Sequence, residues 1–119
     1  MHTLTLSGLQ YHARHGVYET EQIEGNDFEV DLIFEADLGA AGLNDDLSET
    51  IDYQKAEQIV RNVMERPPVQ LLETLIRQIG ETLFSHFKQA KKLEVRLRKL
   101  NPPLATPAKY SQLKYTWTR

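Results

Sequence analysis

Phe28-Glu29-Val30-Asp31-Leu32-Ile33-Phe34-Glu35 alternates large apolar residues with mostly acidic ones. That period of two belongs to a β-strand with one face covered and the other wet. Working outward, Leu4, Leu6 and Leu9 among Thr3, Thr5 and Ser7 predict an earlier strand with an irregularity at Gly8. Tyr11 to Asp27 is too long for a tight hairpin and holds Gly16 and Gly25, so it reads as a structured functional loop. Leu93, Val95 and Leu97 alternate with Glu94, Arg96 and Arg98, and Leu113, Tyr115 and Trp117 alternate with Lys114, Thr116 and Thr118. Two more strands follow.

Between the strand pairs the period changes to that of a helix. Asp52 is placed to cap a helix whose apolar stripe is Tyr53, Ala56, Val60, Val63 and Met64, and Pro67-Pro68 ends it. A second helix from near Gln70 carries Leu72, Leu75, Ile76, Ile79, Leu83 and Phe87, with Gly80 permitting close approach of another backbone. The short link predicts an antiparallel pair. The order β-β-α-α-β-β predicts an α+β domain over residues 1–119, a four-stranded antiparallel sheet backed by two antiparallel helices. Such a sheet has two edges, which closed-ring assembly of several copies would cover.

The 119 residues, 40% hydrophobic and 26% charged, fit one domain with no linker. Without cysteine there is no disulfide, thiolate zinc site or cysteine nucleophile. The start Met1-His2-Thr3-Leu4 lacks the pattern of a signal peptide, and no apolar run reaches the ~20 residues of a membrane span, so a cytoplasmic location is expected. Charge is unevenly spread, with 4 basic and 15 acidic residues over 1–76 but 10 basic and 2 acidic over 77–119. Because the basic residues alternate along strands, cross-strand pairing with acidic neighbours is expected, and nucleic acid is not. His12 and His15 lack a third ligand and the sequence has no His-x-His pair, so no metal site is expected.

Candidate chemistry centres on Glu73, in Leu71-Leu72-Glu73-Thr74, and Lys99 at a strand end. A buried carboxylate can accept two parallel N–H bonds from a guanidine-like ring edge, and a buried lysine can move protons. Lys99 falls on the same side of the pleat as Val95 and Leu97, away from Arg96 and Arg98.

The order of motifs resembles the dihydroneopterin aldolases of folate biosynthesis, in the tunnelling-fold group. Its parts are Gly8-Leu9, His15-Gly16-Val17 with Glu21 and Gly25, Ala41, Asp45-Asp46-Leu47, Ile51-Asp52-Tyr53, Leu71 to Leu75, and Lys99 before Pro102-Pro103. The resemblance implies a ring-forming lyase, a tetramer or octamer, that uses neither metal nor organic cofactor. Its substrate would be 7,8-dihydroneopterin, cleaved to 6-hydroxymethyl-7,8-dihydropterin and glycolaldehyde, with C2′ epimerisation as a side activity. It further implies Glu73 as the pterin anchor, with Leu72 contributing backbone contacts. Lys99 would act on protons without a Schiff base, Glu21 would hold that amine and a water, and Tyr53 would come from a neighbouring subunit with Ile51 and Asp52 at its side. His15 is expected to be structural. Two departures bear on the pocket rim: Leu100 stands where many relatives have proline, and the turn from Leu104 to Gln112 is slightly long. A triphosphate-preferring epimerase and a non-catalytic pterin- or purine-binding ring are the alternatives.

Overall fold

The computed structural model describes residues 1–119. Strands β1 (His2–Ala13), β2 (Asn26–Ala36), β3 (Ala90–Leu100) and β4 (Tyr110–Thr118) form one antiparallel sheet in sequence order. Two long helices, α3 (Tyr53–Met64) and α4 (Leu72–His86), cover one face. The expected β-β-α-α-β-β frame is therefore present. Three short elements unforeseen in the sequence are added to it: α1 (Glu19–Glu24), α2 (Gly39–Asn44) and a 3₁₀ turn at Leu47–Glu49. No helix is long and apolar enough to cross a membrane.

The alternation in β2 fixes which face is covered, because Phe28, Val30, Leu32 and Phe34 are all fully buried under the helices. Each side chain of this size contributes about 1.5–3 kcal/mol on burial, so a one-residue slip in register would forfeit the whole row. Asp52 accepts from the backbone N–H of Gln54 and Lys55 and so starts α3 as expected. Its buried stripe is Ala56, Ile59, Val60, Val63 and Met64. Tyr53 does not belong to it: 61% of its surface is exposed, because the first turn of α3 projects beyond the core. In α4, Leu75, Ile76, Ile79 and Leu83 are buried while Leu72 is half-buried. What comes close to Gly80 is a side chain, the Trp117 ring of β4, and a Cβ at position 80 would run into it.

The open face is held by charge. Asp31 is 5% exposed, and its Oδ2 takes a 2.6 Å bond from Arg98, whose other terminal nitrogen reaches Glu29 at 3.0 Å. The second Asp31 oxygen accepts from the backbone N–H of Gly8 at 2.8 Å and from the Ser7 hydroxyl. Gly8, with φ of 73°, is the bulge between Leu6 and Leu9, so the expected irregularity is real and is tied to the next strand. Burial alone would raise the Asp31 carboxyl, but these bonds outweigh it and hold the group below its ordinary range. Lys92 pairs with Glu35 as well, so the cross-strand expectation holds for Arg98 and Lys92, whereas Arg96 takes its carboxylate from Glu94 on its own strand.

Candidate active site

Loop 14–25 between β1 and β2 is folded around His15. This side chain is 2% exposed, donates from Nε2 to the Met64 carbonyl at 2.8 Å, and accepts at Nδ1 from the Val69 N–H at 3.1 Å. One nitrogen donates and the other accepts, which describes a neutral ring; burial pushes its pKa down, in agreement. The Gly16 N–H bonds the Val69 carbonyl at 2.9 Å, and a Cβ on Gly16 would strike the Glu21 side chain. His15 is thus structural. It ties the loop to the α3–α4 link.

That tie places Glu21. It lies in α1, where Oε1 reaches back to the N–H of Tyr18 at 3.2 Å, one half of a capping box. Oε2 receives the Asn26 amide at 2.9 Å and the Lys99 ammonium at 2.7 Å. Lys99 stands on the helix-facing side of β3, opposite Phe28 of β2, and only 12% of its side chain is exposed against 7% for Glu21. The pair is nearly dry. Burial would raise the Glu21 carboxyl, yet the bonds from Lys99, Tyr18 and Asn26 prevail and hold it below the ordinary carboxylate range. The amine has further hydrogens to offer a ligand.

The remaining candidates divide between two ends of the molecule. Because the 87–89 connection turns β3 back along α4, the start of α4 and the end of β3 share one end. Glu73 belongs there, and it lines a cleft with Thr74, Arg77, Gln78, Glu81 and Tyr115. Its carboxylate is exposed rather than buried, since the first turn of α4 directs it outward. Leu72, half-buried, precedes it. Ile51, Asp52 and Tyr53 sit at the opposite end, where the Gln89 side chain donates to the Thr50 carbonyl at 2.7 Å. Ile51 is 1% exposed and Asp52 is occupied in capping, so of the three it is the Tyr53 ring that is offered outward. A single subunit brings Glu21 and Lys99 together and keeps Tyr53 away.

The family model for dihydroneopterin aldolase matches residues 4–116. A dihydroneopterin aldolase of Bacillus subtilis strain 168 is 34% identical over 119 residues, covering 100% of this chain and 98% of that protein. One from Streptococcus pyogenes serotype M18 is 36% identical over 105 residues, 88% of each chain. The chain belongs to the dihydroneopterin aldolase family. Among solved structures, the E. coli dihydroneopterin aldolase in complex with neopterin superposes with a TM-score of 0.90 over 98% of this chain and 99% of that chain, at 20% identity. At that identity the likeness speaks to fold. It places this aldolase's two-layer frame beside a known one.

Several residues around the aldolase's Glu21 were not singled out by the sequence. Asn26 bonds both Glu21 and the His15 carbonyl, and Gln22 donates to the Gly16 carbonyl at 2.8 Å. An isolated Asn before a strand carries no local signal of this role. In the sequence His12 reads only as a poor metal ligand. Both of its ring nitrogens are engaged by other partners, Asp27 and the Glu24 carbonyl.

Proposed function

We propose that the aldolase reaction is carried by Glu21 and Lys99 of one subunit, with Glu73 holding the pterin ring and Tyr53 supplied by a neighbouring subunit. The substrate is 7,8-dihydroneopterin. In retro-aldol cleavage a base takes the proton of the C2′ hydroxyl and the C1′–C2′ bond breaks. Its electron pair passes into the N5–C6 imine of the ring, and glycolaldehyde leaves. Proton return to C1′ then yields 6-hydroxymethyl-7,8-dihydropterin. The ring is the electron sink, so no Schiff base is required, and Lys99 handles protons directly or through a bound water.

The observation that carries this reading is the 2.7 Å contact between the Lys99 amine and a nearly buried carboxylate at the same end of the domain as Glu73. A glutamate held by backbone and amide donors orients the amine and the water between amine and substrate. Glu73 accepts the 2-amino and N3–H groups of the ring in a bidentate contact, with Leu72 contributing backbone groups at the ring edge. Tyr53, with Ile51 and Asp52 beside it, completes the pocket from the next subunit and exchanges a proton with the departing fragment. The separation of the two ends supports this division. Ring assembly by edge pairing of β1 and β4, into a tetramer or octamer, is part of the same proposal, as is action in the cytoplasm.

The test is incubation of purified protein with 7,8-dihydroneopterin, with its triphosphate, and without substrate, followed by separation of pterins and glycolaldehyde. Glycolaldehyde and 6-hydroxymethyl-7,8-dihydropterin from the first substrate are expected. Epimer alone, formed from the triphosphate, would assign the chain to the epimerases, and no product from either would leave a binding ring.

A further inference from the structure

His12 and Asp27 face each other near the end of the β1–β2 ladder. The ring's Nδ1 lies 2.8 Å from Asp27 Oδ1 and its Nε2 lies 2.8 Å from the Glu24 carbonyl oxygen. A carboxylate and a carbonyl can only accept, so both contacts are hydrogen bonds only when each nitrogen carries a hydrogen, that is, when the ring is an imidazolium. Position 25 is shaped to receive it: Gly25 has φ of 83°, and a Cβ there would lie 2.5 Å from Nε2. The Gly25 N–H in turn bonds the Glu21 carbonyl at 2.8 Å, so the ring closes on the C-terminal end of the helix that carries the proposed catalytic glutamate.

We propose that His12, doubly protonated, is a positioning residue for Glu21, clasping the exit of α1 to β2 so that the carboxylate stays on Lys99. This rests on the reading of Glu21 and Lys99 as the proton-handling pair. The charged groups around the ring oppose one another. Asp27 on β2 favours the imidazolium and Arg14, just past β1, disfavours it, while Glu65 and Arg66 beyond α3 line the hollow beside the ring with opposite signs and Glu24 contributes its carbonyl from α1. The bond to Asp27 and then the bond to Glu24 raise the ring's pKa above its ordinary value. A raised value means that the clasp is fully closed below the ordinary histidine pKa and opens as pH rises through the raised one. A neutral ring has one hydrogen and cannot serve both acceptors.

The experiment compares kcat and KM of the wild type and His12→Phe for 7,8-dihydroneopterin from about pH 6 to pH 9, with NMR titration of the wild-type ring. At the acid end His12→Phe should lower kcat by about twofold to fivefold, the range for exposed polar pairs, with KM little changed. The ratio of wild-type to variant kcat should then fall toward one as pH rises, because the wild type loses its clasp. A ratio constant across pH would reduce His12 to packing and overturn the proposal. A wild-type ring titrating at or below about 6.5 would overturn it too, and that measurement decides even if His12→Phe fails to fold. Lys99→Ala is the control for the underlying reading: near-wild-type turnover there would overturn the proton-handling pair itself, whatever the titration of His12.

Discussion

Lys99 shows how little separates a surface lysine from a candidate proton carrier. It lies next to Arg98, which joins the ion cluster on the open face, yet the pleat turns Lys99 to the other side, onto Glu21. Lys99→Ala should lower kcat by about 10²–10⁴ while leaving pterin affinity nearly unchanged, because a proton carrier acts in the transition state. Turnover assays with neopterin titrations check both halves, and borohydride trapping of a substrate adduct on the wild-type lysine would contradict the mechanism. Glu73→Gln should do the reverse, weakening neopterin binding by about 3 kcal/mol or more, since an amide presents a donor toward donors where a carboxylate accepts two charged bonds. Calorimetric titration with less than a tenfold change would return Glu73 to the role of a helix-start residue.

Asp31 makes a further prediction at this scale. Its pKa lies below the ordinary value in the folded chain, so its stabilisation is fully present above the ordinary carboxylate range and is lost as pH falls through the lowered value. Asp31→Asn should therefore cost about 3 kcal/mol near neutrality, the cost of breaking a buried pair. The Tm difference from wild type should shrink as pH is lowered from about 7 through the ordinary carboxylate range and on through the lowered value, below which the wild-type carboxylate is also neutral. A difference that stays constant over that range would mean that shape, and not charge, ties the bulge at Gly8 to Arg98.

At the scale of elements, the strands and long helices were legible because each repeats its pattern over many residues, as β2 does from Phe28 to Glu35. The six-residue α1 was not, since it repeats no period and its stability comes from bonds with distant partners: His15 with Met64 and Val69, Glu21 with Lys99. The same reason explains the candidate site. Glu21 and Lys99 were legible through the family pattern, whereas Asn26 and the clasp at His12 exist only in three dimensions. The spacing of Tyr53 fits a buried stripe, but spacing does not say where a helix face is left uncovered, and Tyr53 is exposed. Gly80→Ala tests packing at this level. Its methyl would collide with Trp117 on β4, so about 1–3 kcal/mol of destabilisation by overpacking is expected, against the usual gain from replacing glycine within a helix. Chemical denaturation measures the sign, and a stabilised variant would show that β4 yields easily.

On the scale of the whole molecule, the chain leaves both sheet edges unpaired and divides its candidate residues between two ends. Assembly resolves both features if the Tyr53 end of one subunit meets the Lys99 end of the next. The most direct measurement is complementation. Tyr53→Phe and Lys99→Ala chains, each impaired alone, are unfolded together in equal amounts and reassembled, with the mass of hybrid rings confirmed. Random mixing should give about a quarter of the pockets both native residues, so activity should rise to about a quarter of wild type, above the sum of the separately refolded variants. Hybrid rings whose activity merely equals that sum would contradict the shared site.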